Sequence, residues 1–368
     1  MSRDLKILQA NLGKRYVAQK SLLNDEALRE FSFLLIQEPH FFSATTTGET
    51  SVPAQHTYWT ATHPSQMLAD TTPFRSMIWA AKGLRTKPVP IASSDITAIT
   101  YETDCCILFI ASVYIPRTER AEHRVELQSR LRLLQDAIAS TQPRRGDREL
   151  ELIIAGDFNR HDQLWGGEAV RDARRQGEAE PIIDFAYQLN LESLLPRGTI
   201  TFPGGHSTID LIMATERMRD KLARCDIHPT EHGSDHRAIE KIFHLATPTP
   251  SFQPKQMFKD APWQEIREAI AHRIASQEPP TDRNDVETSL HRLMTTVTAV
   301  IEEKVPKSKP SRYTKRWWTK ELTSLRRTYT TIRNRAIATR RVGVDNAYLH
   351  GQAKDALHQF RKAIRAVM

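Results

Sequence analysis

The sequence predicts an α/β domain followed by an all-helical, basic region. Over the first two thirds of the chain, short β-branched or apolar runs alternate with longer amphipathic patterns, which is typical of an α/β domain. Beyond a stretch rich in Pro and Thr the pattern is helical only. Residues 248–368 contain 23 Lys and Arg against 12 Asp and Glu, whereas the preceding residues contain 29 against 32. The basic character therefore belongs to the last third.

The elements follow in order along the first region. Apolar and β-branched runs predict strands at residues 5–12, 31–39, 76–81, 97–102, 106–116, 150–158 and 207–215. Apolar residues at helical spacing predict helices at 21–31, 122–141 and 180–190. We expect the first domain to cover residues 1–245, a Pro/Thr-rich linker 246–258, and the helical region 259–368.

The helical region has four patterns, at residues 262–276, 285–305, 315–341 and 353–368. The last reaches Met368 without a stop signal, which predicts a fragment of a longer protein. A basic tail on a slightly acidic body favours a polyanion held near metal-binding carboxylates. A solvated helical surface rich in Arg explains the charge equally well.

The compartment is expected to be intracellular. Three cysteines, two of them adjacent at Cys105 and Cys106, do not make a disulfide framework or a zinc motif. The first residues lack the apolar stretch of a signal peptide. No segment approaches the ~18 apolar residues of a membrane span, so no membrane partner is expected.

Several expected strands end in polar residues where an apolar one would fit. These positions, with two more that follow the last strand, are Asn11, Glu38, Tyr114, Asp157, Asn159, Asp210, Asp235 and His236. Side chains at the ends of strands converge on one crevice in open α/β sheets, so these residues can share a site. Taken singly, each is more typical of a cap, a turn or a core position.

The order of these motifs resembles the endonuclease/exonuclease/phosphatase superfamily, which includes DNase I, exonuclease III and the apurinic/apyrimidinic endonucleases. The matching motifs span residues 4–245 and are an Asn in the first strand, QEP, VYIP, GDFN, STID and SDH. GDFNRHDQLWGG and the spacing of STIDLIMA and SDHRAI are similar to the endonuclease domain of LINE-type, non-LTR retrotransposons. The segment RWWTKELTSLRRTYTTIRNRA resembles the region that these elements place before their reverse transcriptase.

The resemblance implies a DNase I-like, four-layered α/β sandwich of two packed mixed β-sheets flanked by helices. It implies a metal-dependent DNA endonuclease that nicks target DNA and leaves a 3′-OH primer for target-primed reverse transcription. The implied partners are double-stranded DNA, element RNA through the basic tail, and a covalently linked reverse transcriptase downstream. Nuclear localisation follows from that role.

A divalent cation is implied near three of these residues. Glu38 is the implied metal ligand, with Asn11 and Asp235 close by, and Mg²⁺ is the implied ion with Mn²⁺ as a substitute. The number of metal ions, one or two, stays open.

The remaining residues of the set have implied catalytic roles. Asp157 orients or deprotonates water, Asn159 positions it, and His236, braced by Asp210, donates to the phosphate. Tyr114 supplies a further donor. Either Asp157 or His236 can act as the general base.

Other residues are candidates for DNA contact. His161 either reaches a phosphate or caps its loop, and Trp165 is expected to anchor that loop on the core. A β-hairpin expected at residues 197–210 is implied to enter a DNA groove. The candidate residues in the hairpin are Gly204, Gly205, Ser207 and Thr208. Those in the basic tail are Arg316, Trp317, Arg326 and Arg327.

Two other functions remain open. One is a phosphatase of the same superfamily acting on inositol phosphates or lipids, which is disfavoured because STIDLI stands where the inositol-phosphatase type has a WCDR-like motif. The other is a catalytically inactive nucleic-acid-binding relic, which is disfavoured because every expected catalytic residue is present.

Overall fold

The computed structural model describes residues 2–40, 42–43, 50–51, 56, 58–64, 74–117, 122–142, 148–170, 177–248, 256–274, 283–307, 319–341 and 346–367. The strands in these ranges are β1 (Ser2–Asn11), β2 (Phe33–Gln37), β3 (Phe42–Ser43), β4 (Thr50–Ser51), β5 (Trp59–Thr62), β6 (Ser76–Ala81), β7 (Thr86–Val89), β8 (Ile96–Glu102), β9 (Ile107–Tyr114), β10 (Leu150–Asp157), β11 (Leu191–Ser193), β12 (Asp210–Thr215), β13 (Leu222–Ile227) and β14 (Ile239–Pro248). The helices are α1 (Tyr16–Leu23), α2 (Glu122–Ser140), α3 (Gln163–Gly166), α4 (Glu180–Gln188), α5 (Glu216–Asp220), α6 (Trp263–Ile274), α7 (Arg283–Lys304), α8 (Lys320–Arg341) and α9 (Ala347–Val367).

The chain divides into two compact units, Met1–Ser251 with Trp317–Met368, and Phe252–Arg316. Two six-stranded sheets form the first unit, in the orders β13-β14-β1-β2-β6-β5 and β11-β12-β10-β9-β8-β7. β1 and β2 are parallel, as are β9 and β10, and the other neighbours in the two sheets are antiparallel. Both sheets are therefore mixed.

The two sheets share a buried apolar core. Ile7 and Leu35 contribute to it from the first sheet, and Ile110 and Ile153 from the second. Helices α2 and α4 pack on the outer face of the second sheet, and α1 packs on the outer face of the first. The order helix, sheet, sheet, helix is the four-layered sandwich that the motifs implied, so the predicted fold class is confirmed.

The helix predicted at residues 21–31 is wrong in its position. Helix α1 ends at Leu23, and a short 3-10 turn covers Ala27–Glu30. Between them, the Asp25 carboxylate accepts a hydrogen bond from the backbone N–H of Ala27 at 3.1 Å. A side chain that binds the backbone two residues further on competes with the helical pattern, and here it turns the chain.

Strand β14 extends into the predicted linker. It continues to Pro248, and Ala246 and Pro248 pair with Asp4 and Ser2 of β1. Residues 246–248 therefore belong to a sheet, although their composition is typical of a linker. Proline is tolerated there because it is the last residue of the strand.

The hairpin predicted at residues 197–210 is wrong as a two-stranded ladder. A single bridge joins Phe202 to Ser207, and the residues between them include a 3-10 turn at Pro203–Gly205. The Thr201 hydroxyl accepts from the backbone N–H groups of Ile209 and Asp210, both at 3.1 Å. A side chain therefore satisfies donors that a ladder would otherwise have used.

The C-terminal helices form the predicted helical region and are divided between the two units. In the first unit, Leu322, Phe360 and Ile364 of α8 and α9 form a buried cluster that also contacts Val17 of α1. In the second unit, α6 and α7 pack through Ile266, Val300 and Val305. Within the described part of the chain, no helix is long and apolar enough to cross a membrane.

Candidate active site

The inward faces of both sheets change from apolar to polar at one edge. Along β1, Gln9 and Asn11 follow Ile7 on the same face, because side chains alternate along a strand. Along β10, Asp157 follows Ile153 on the inward face in the same way. The apolar core between the sheets therefore ends in a buried polar layer.

The strand register brings three site residues into one row. Asp157 of β10 lies opposite Tyr114 of β9 and opposite Asp210 of β12. Asn11 of β1 reaches this row from the other sheet, donating from Nδ2 to Asp157 Oδ2 at 2.8 Å. The two sheets are thus joined by a hydrogen bond at the site itself.

Asp157 lies at the centre of the site and is 1 % exposed. Its Oδ2 also accepts from Asn159 Nδ2 at 2.9 Å, and its Oδ1 accepts from the Asn159 backbone N–H at 3.0 Å. Burial, followed by the charge of Asp210, raises the pKa of the Asp157 carboxyl, and His236 and the hydrogen bonds partly offset this shift. A carboxyl group with a raised pKa accepts a proton more readily than an exposed one.

Asn159 reaches Asp157 through a backbone turn. Strand β10 ends at Asp157, and Asn159 lies beyond it with a left-handed φ of 48°. Its Nδ2 also donates to the Ile115 carbonyl at 3.0 Å. Phe158, between the two, is fully buried in the core beneath the helices of the second sheet. The tight turn folds the amide back over the carboxylate.

His236 is held between two carboxylates. Its Nδ1 lies 2.9 Å from Asp210 Oδ2, and its Nε2 lies 4.0 Å from Asp157 Oδ2. Burial lowers the pKa of His236, but the charge and hydrogen bond of Asp210, with the charges of Asp157 and Asp235, outweigh it and raise the pKa to about 9. The imidazole is therefore protonated at neutral pH, with Nε2–H directed away from Asp210.

Glu38 and Tyr114 lie on the other side of Asp157. Glu38 follows β2 with a φ of 45°, and its side chain is 20 % exposed. Lys14 Nζ lies 3.6 Å from Glu38 Oε1. Burial raises the pKa of Tyr114, and the charges of Glu38 and Asp157 raise it further, so the phenol keeps its proton. Tyr114 is therefore a hydrogen-bond donor beside both carboxylates.

Asp235 stands at the exposed rim. It forms an ion pair with Arg15 at 3.1 Å between Oδ2 and Nη2. The neighbouring Ser234 hydroxyl donates to the Asn11 carbonyl at 2.6 Å, which fixes the loop against β1. Asn11 Oδ1 accepts from the Gly13 N–H at 2.8 Å.

The donor set of the crevice fits a hard divalent cation. Glu38 presents a partly exposed carboxylate, and carboxylate and amide oxygens are the ligands that Mg²⁺ prefers. Asp157, Asp210 and His236 form a second group whose ligand atoms all lie within 4.8 Å of one another. Glu38 is the candidate ligand, with Asn11 and Asp235 at the same edge, and each of the three also contacts a protein group, which is Lys14 in the case of Glu38.

Three supporting residues had no role assigned from the sequence, although Gln37 belongs to the QEP motif. Gln9 donates to Asp210 Oδ1 at 3.0 Å and to Gln37 at 2.8 Å, and Gln37 donates to the Ser112 hydroxyl at 2.8 Å. These three are buried and lie on the inward faces of their strands. A polar residue at an inward position of an apolar strand is the sequence signal that identifies them.

An arginine pair also supports the site. Arg75 and Arg130 both bind the buried carboxylate of Asp95, with Arg75 bidentate at 2.6 and 2.8 Å. This fixes the Arg75 guanidinium 5.0 Å from the centre of the Tyr114 ring. Arg75, Asp95 and Arg130 lie far apart in sequence, and no local pattern marks them.

The loop after GDFN is built around Glu178 and Trp165. Glu178 accepts from the His161 backbone N–H at 2.7 Å and lies 2.9 Å from His161 Nδ1. Trp165 is buried and donates to the Arg160 carbonyl at 3.2 Å, which agrees with its expected role as a loop anchor.

The candidate DNA contacts differ in exposure. Gly204 and Gly205 are exposed, and the Phe202 ring that precedes them lies 4.8 Å from the His236 ring. Thr208 is buried and donates to the Thr199 carbonyl at 2.6 Å, so its hydroxyl is engaged inside the protein. Ser207 is half-buried and closes the loop through its backbone.

The tail candidates also differ. Arg316 and Trp317 lie outside the described residues. The Arg326 guanidinium is 11 % exposed and binds Asp25, whereas Arg327 is exposed. Arg326 thus faces the protein, contrary to the expectation that the tail arginines face nucleic acid.

Solved structures of two other proteins are similar to this chain over about two thirds of its length. The endonuclease domain of TRAS1, a telomere-specific non-LTR retrotransposon, has a TM-score of 0.51 and 21% identity, over 66% of this chain and 99% of that chain. The APE2 catalytic domain from Xenopus laevis has a TM-score of 0.50 and 14% identity, over 68% and 94%. The first unit has the DNase I-like fold.

Residues 108–240 of this DNase I-like chain match the family model described as endonuclease-reverse transcriptase. This match agrees with the resemblance inferred from the motifs within residues 108–240. The AP endonuclease LMAP from Leishmania major is a further match, with a TM-score of 0.47 and 13% identity over 67% of this chain and 89% of that one. No curated protein matches the chain.

Proposed function

We propose that this protein is a Mg²⁺-dependent DNA endonuclease that nicks target DNA and leaves a 3′-OH primer for reverse transcription of a non-LTR retrotransposon. The observation that carries the proposal is the buried arrangement around Asp157. Asn11 and Asn159 hold its carboxylate, and Asp210 holds His236 against it. The endonuclease-reverse transcriptase family match over residues 108–240 supports the same function.

The residues suit hydrolysis of a phosphodiester. A water bound to Asp157 is oriented for attack on phosphorus, and the ionised form of this carboxyl, which the hydrogen bonds of Asn11 and Asn159 and the charge of His236 favour, takes the water's proton. The P–O3′ bond breaks, the 3′ oxygen takes a proton from solvent and becomes the hydroxyl of the nick, and the phosphate stays on the 5′ oxygen of the next nucleotide. Bound Mg²⁺, held through Glu38, supplies positive charge that offsets the charge on the phosphate oxygens.

His236 and Tyr114 act on the phosphate as donors. His236 is protonated through Asp210, and its Nε2–H lies on the Asp157 side of the ring. Tyr114 keeps its phenolic proton because burial and two nearby carboxylates raise its pKa. Donors that are fixed before the reaction stabilise developing charge without reorganisation.

The surface next to the crevice suits a duplex. The exposed Gly204 and Gly205 turn follows Phe202, which contacts the His236 ring. We propose that this turn contacts a DNA groove, with exposed tail residues such as Arg327 binding phosphates. The proposal includes element RNA as a second ligand of the tail, a downstream reverse transcriptase and nuclear residence.

A supercoiled plasmid tests the proposal. The full chain with Mg²⁺ is expected to convert it to the relaxed form, EDTA is expected to prevent this, and the nick is expected to be extended by a DNA polymerase because it carries a 3′-OH. A matched reaction with an inositol phosphate is expected to release no phosphate.

Each other outcome rejects part of the proposal. Relaxation in EDTA contradicts the metal mechanism, and phosphate release from the inositol substrate favours the phosphatase. Binding of DNA without relaxation favours the inactive relic.

A further inference from the structure

A second cluster of metal-ligating side chains lies outside the candidate active site. Asp25 follows α1, and His228 and His232 lie in the segment between β13 and β14. Their ligand atoms all lie within 4.8 Å of one another, and all three residues are at most 5 % exposed. None of them has a role in the proposed nuclease.

Each of the three side chains is held by a neighbouring protein group. His228 Nδ1 lies 2.7 Å from Glu240 Oε2, and His232 Nδ1 lies 3.1 Å from the Ser21 hydroxyl. Asp25 Oδ1 accepts from the Ala27 N–H at 3.1 Å, and Arg326 Nη2 donates to the same oxygen at 3.2 Å. Outer partners of this kind fix the tautomer and orientation of metal ligands.

The remaining atom of each side chain points into the cluster. His228 Nε2 and His232 Nε2 are buried and have no hydrogen-bond partner among the described residues, whereas Asp25 Oδ2 is ion-paired with Arg326 Nη1. His232 Nε2 and Asp25 Oδ2 are 4.0 Å apart. Two buried imidazole nitrogens without a protein partner are unfavourable unless a cation or a bridging molecule is bound to them.

Zinc binds neutral imidazole and carboxylate groups, and a positive charge lies next to this set of ligands. Arg326 Nη1 lies 3.0 Å from Asp25 Oδ2, so the positive charge of this guanidinium opposes the binding of a cation.

We propose that Asp25, His228 and His232 form a site for a zinc-class transition-metal ion, separate from the magnesium site of the nuclease. Two imidazole nitrogens and one carboxylate are ligands typical of zinc, and Mg²⁺ prefers oxygen alone. A tetrahedral zinc ion at ~2.0–2.1 Å from each ligand separates them by roughly 3.3 Å, so the side chains close by about 1 Å on binding. A water completes the four ligands.

The ion ties α1 to the loop that carries the active-site histidine. Ser21 and Asp25 belong to α1 and the turn after it, and His232 stands four residues before His236. The metal therefore has a structural role, in which it fixes the approach of this loop to the crevice.

Bound zinc in the purified full chain tests the site, without reference to cleavage. We expect one zinc ion per chain after dialysis, and we expect Co²⁺ in its place to give the intense visible absorption of tetrahedral coordination. H228A and H232A are expected to lose the metal. H236A is the matched control, because it removes a histidine from the other cluster, and it is expected to keep the zinc.

Substitutions of the groups that hold the ligands provide a test if H228A or H232A fails to fold. Ser21→Ala and Glu240→Gln keep all three ligand atoms, and each is expected to weaken zinc binding by about 10–100-fold. Failure of the wild-type chain to hold Zn²⁺ or Co²⁺ overturns the proposal. Zinc that is lost in H236A but kept in H232A also overturns it, because the ion then occupies the nuclease site.

Discussion

Two histidine clusters among the described residues contain similar residues and show opposite shifts of the histidine pKa. His236 lies among Asp157, Asp210 and Asp235, and its pKa is raised to about 9. His228 and His232 are more deeply buried than His236, and burial lowers their pKa. At His228 the charge of Asp25 raises the pKa, whereas nearby arginines that include Arg326 lower it. Burial acts in the same direction in both clusters, and the surrounding carboxylates outweigh it at His236.

This difference separates two kinds of chemistry in one small region. A protonated imidazole next to a carboxylate donates to a phosphate, whereas a neutral imidazole binds a transition metal. The histidines stand only a few residues apart, at positions 228, 232 and 236. Changing the charges around each cluster is therefore the direct way to test the assignment.

The largest expected effect is at His236. His236→Ala removes the donor to the phosphate, and the rate of plasmid nicking is expected to fall by about 10²–10⁴-fold. Far-UV circular dichroism of the variant is expected to match the wild type. Nicking within a factor of two of the wild-type rate contradicts the role of this residue.

The next effect is at Asp210. Asp210→Asn removes the charge that keeps the pKa of His236 high, so burial then lowers that pKa. In the wild type, activity that needs protonated His236 is lost as pH rises through about 9. In the variant this alkaline limit is expected at lower pH, with a fall of at least about tenfold at neutral pH. Single-turnover rates from pH 6 to 10 measure it, and an unmoved limit argues against the pairing.

A smaller effect is expected at Arg326, on stability. Arg326→Ala leaves the buried Asp25 carboxylate with one partner fewer, and the free energy of unfolding is expected to fall by about 1–3 kcal/mol. Denaturant unfolding measures this loss. Arg327→Ala is the matched control at the next position, where the side chain is exposed, and its unfolding midpoint is expected to equal that of the wild type.

The smallest effect is expected on DNA binding. For the same two substitutions, Arg327→Ala is here the variant that changes the result and Arg326→Ala is the control. Arg327→Ala is expected to lower the salt dependence of duplex binding by about one unit of slope, as loss of a single phosphate contact does. Arg326→Ala is expected to leave the slope unchanged, because its guanidinium faces Asp25. Titrations at several salt concentrations separate the two, and equal slopes in both variants would reject the contact of Arg327 with phosphate.

The sequence predicted the parts of the site that stand at strand ends. Asp157 and Asp210 interrupt apolar runs, and two-residue alternation places them on the inward face. The turn at Asn159 was missed, because a left-handed backbone conformation leaves little signal when the residue is not glycine. Gln9 was missed because its partners, Gln37 and Asp210, come from distant strands.

The prediction of the fold was correct where the sequence patterns were regular. It was wrong where side-chain hydrogen bonds or long-range pairing changed an element. Seven of the twelve strands described in the two sheets were predicted, and the five that were not are β5, β7, β11, β13 and β14. The end of β14 was read as a linker because its pairing with β1 is a tertiary effect. Asp25 ended the predicted helix early by binding the backbone of Ala27. The inward direction of the Arg326 side chain could not be predicted, because its partner Asp25 lies 301 positions away in the sequence.

Helices α8 and α9 hold the loop before His236 at alternate residues. Asn334 Nδ2 donates to the Pro229 carbonyl at 3.1 Å, Tyr329 donates to Glu231 at 2.8 Å, and Arg361 donates to the Gly233 carbonyl at 2.9 Å. A protein shortened after residue 245 would keep every catalytic group and lose all three attachments. Displacement of these helices therefore either pulls the His236 loop with them or breaks the bonds, which makes the tail a mechanical support of the nuclease.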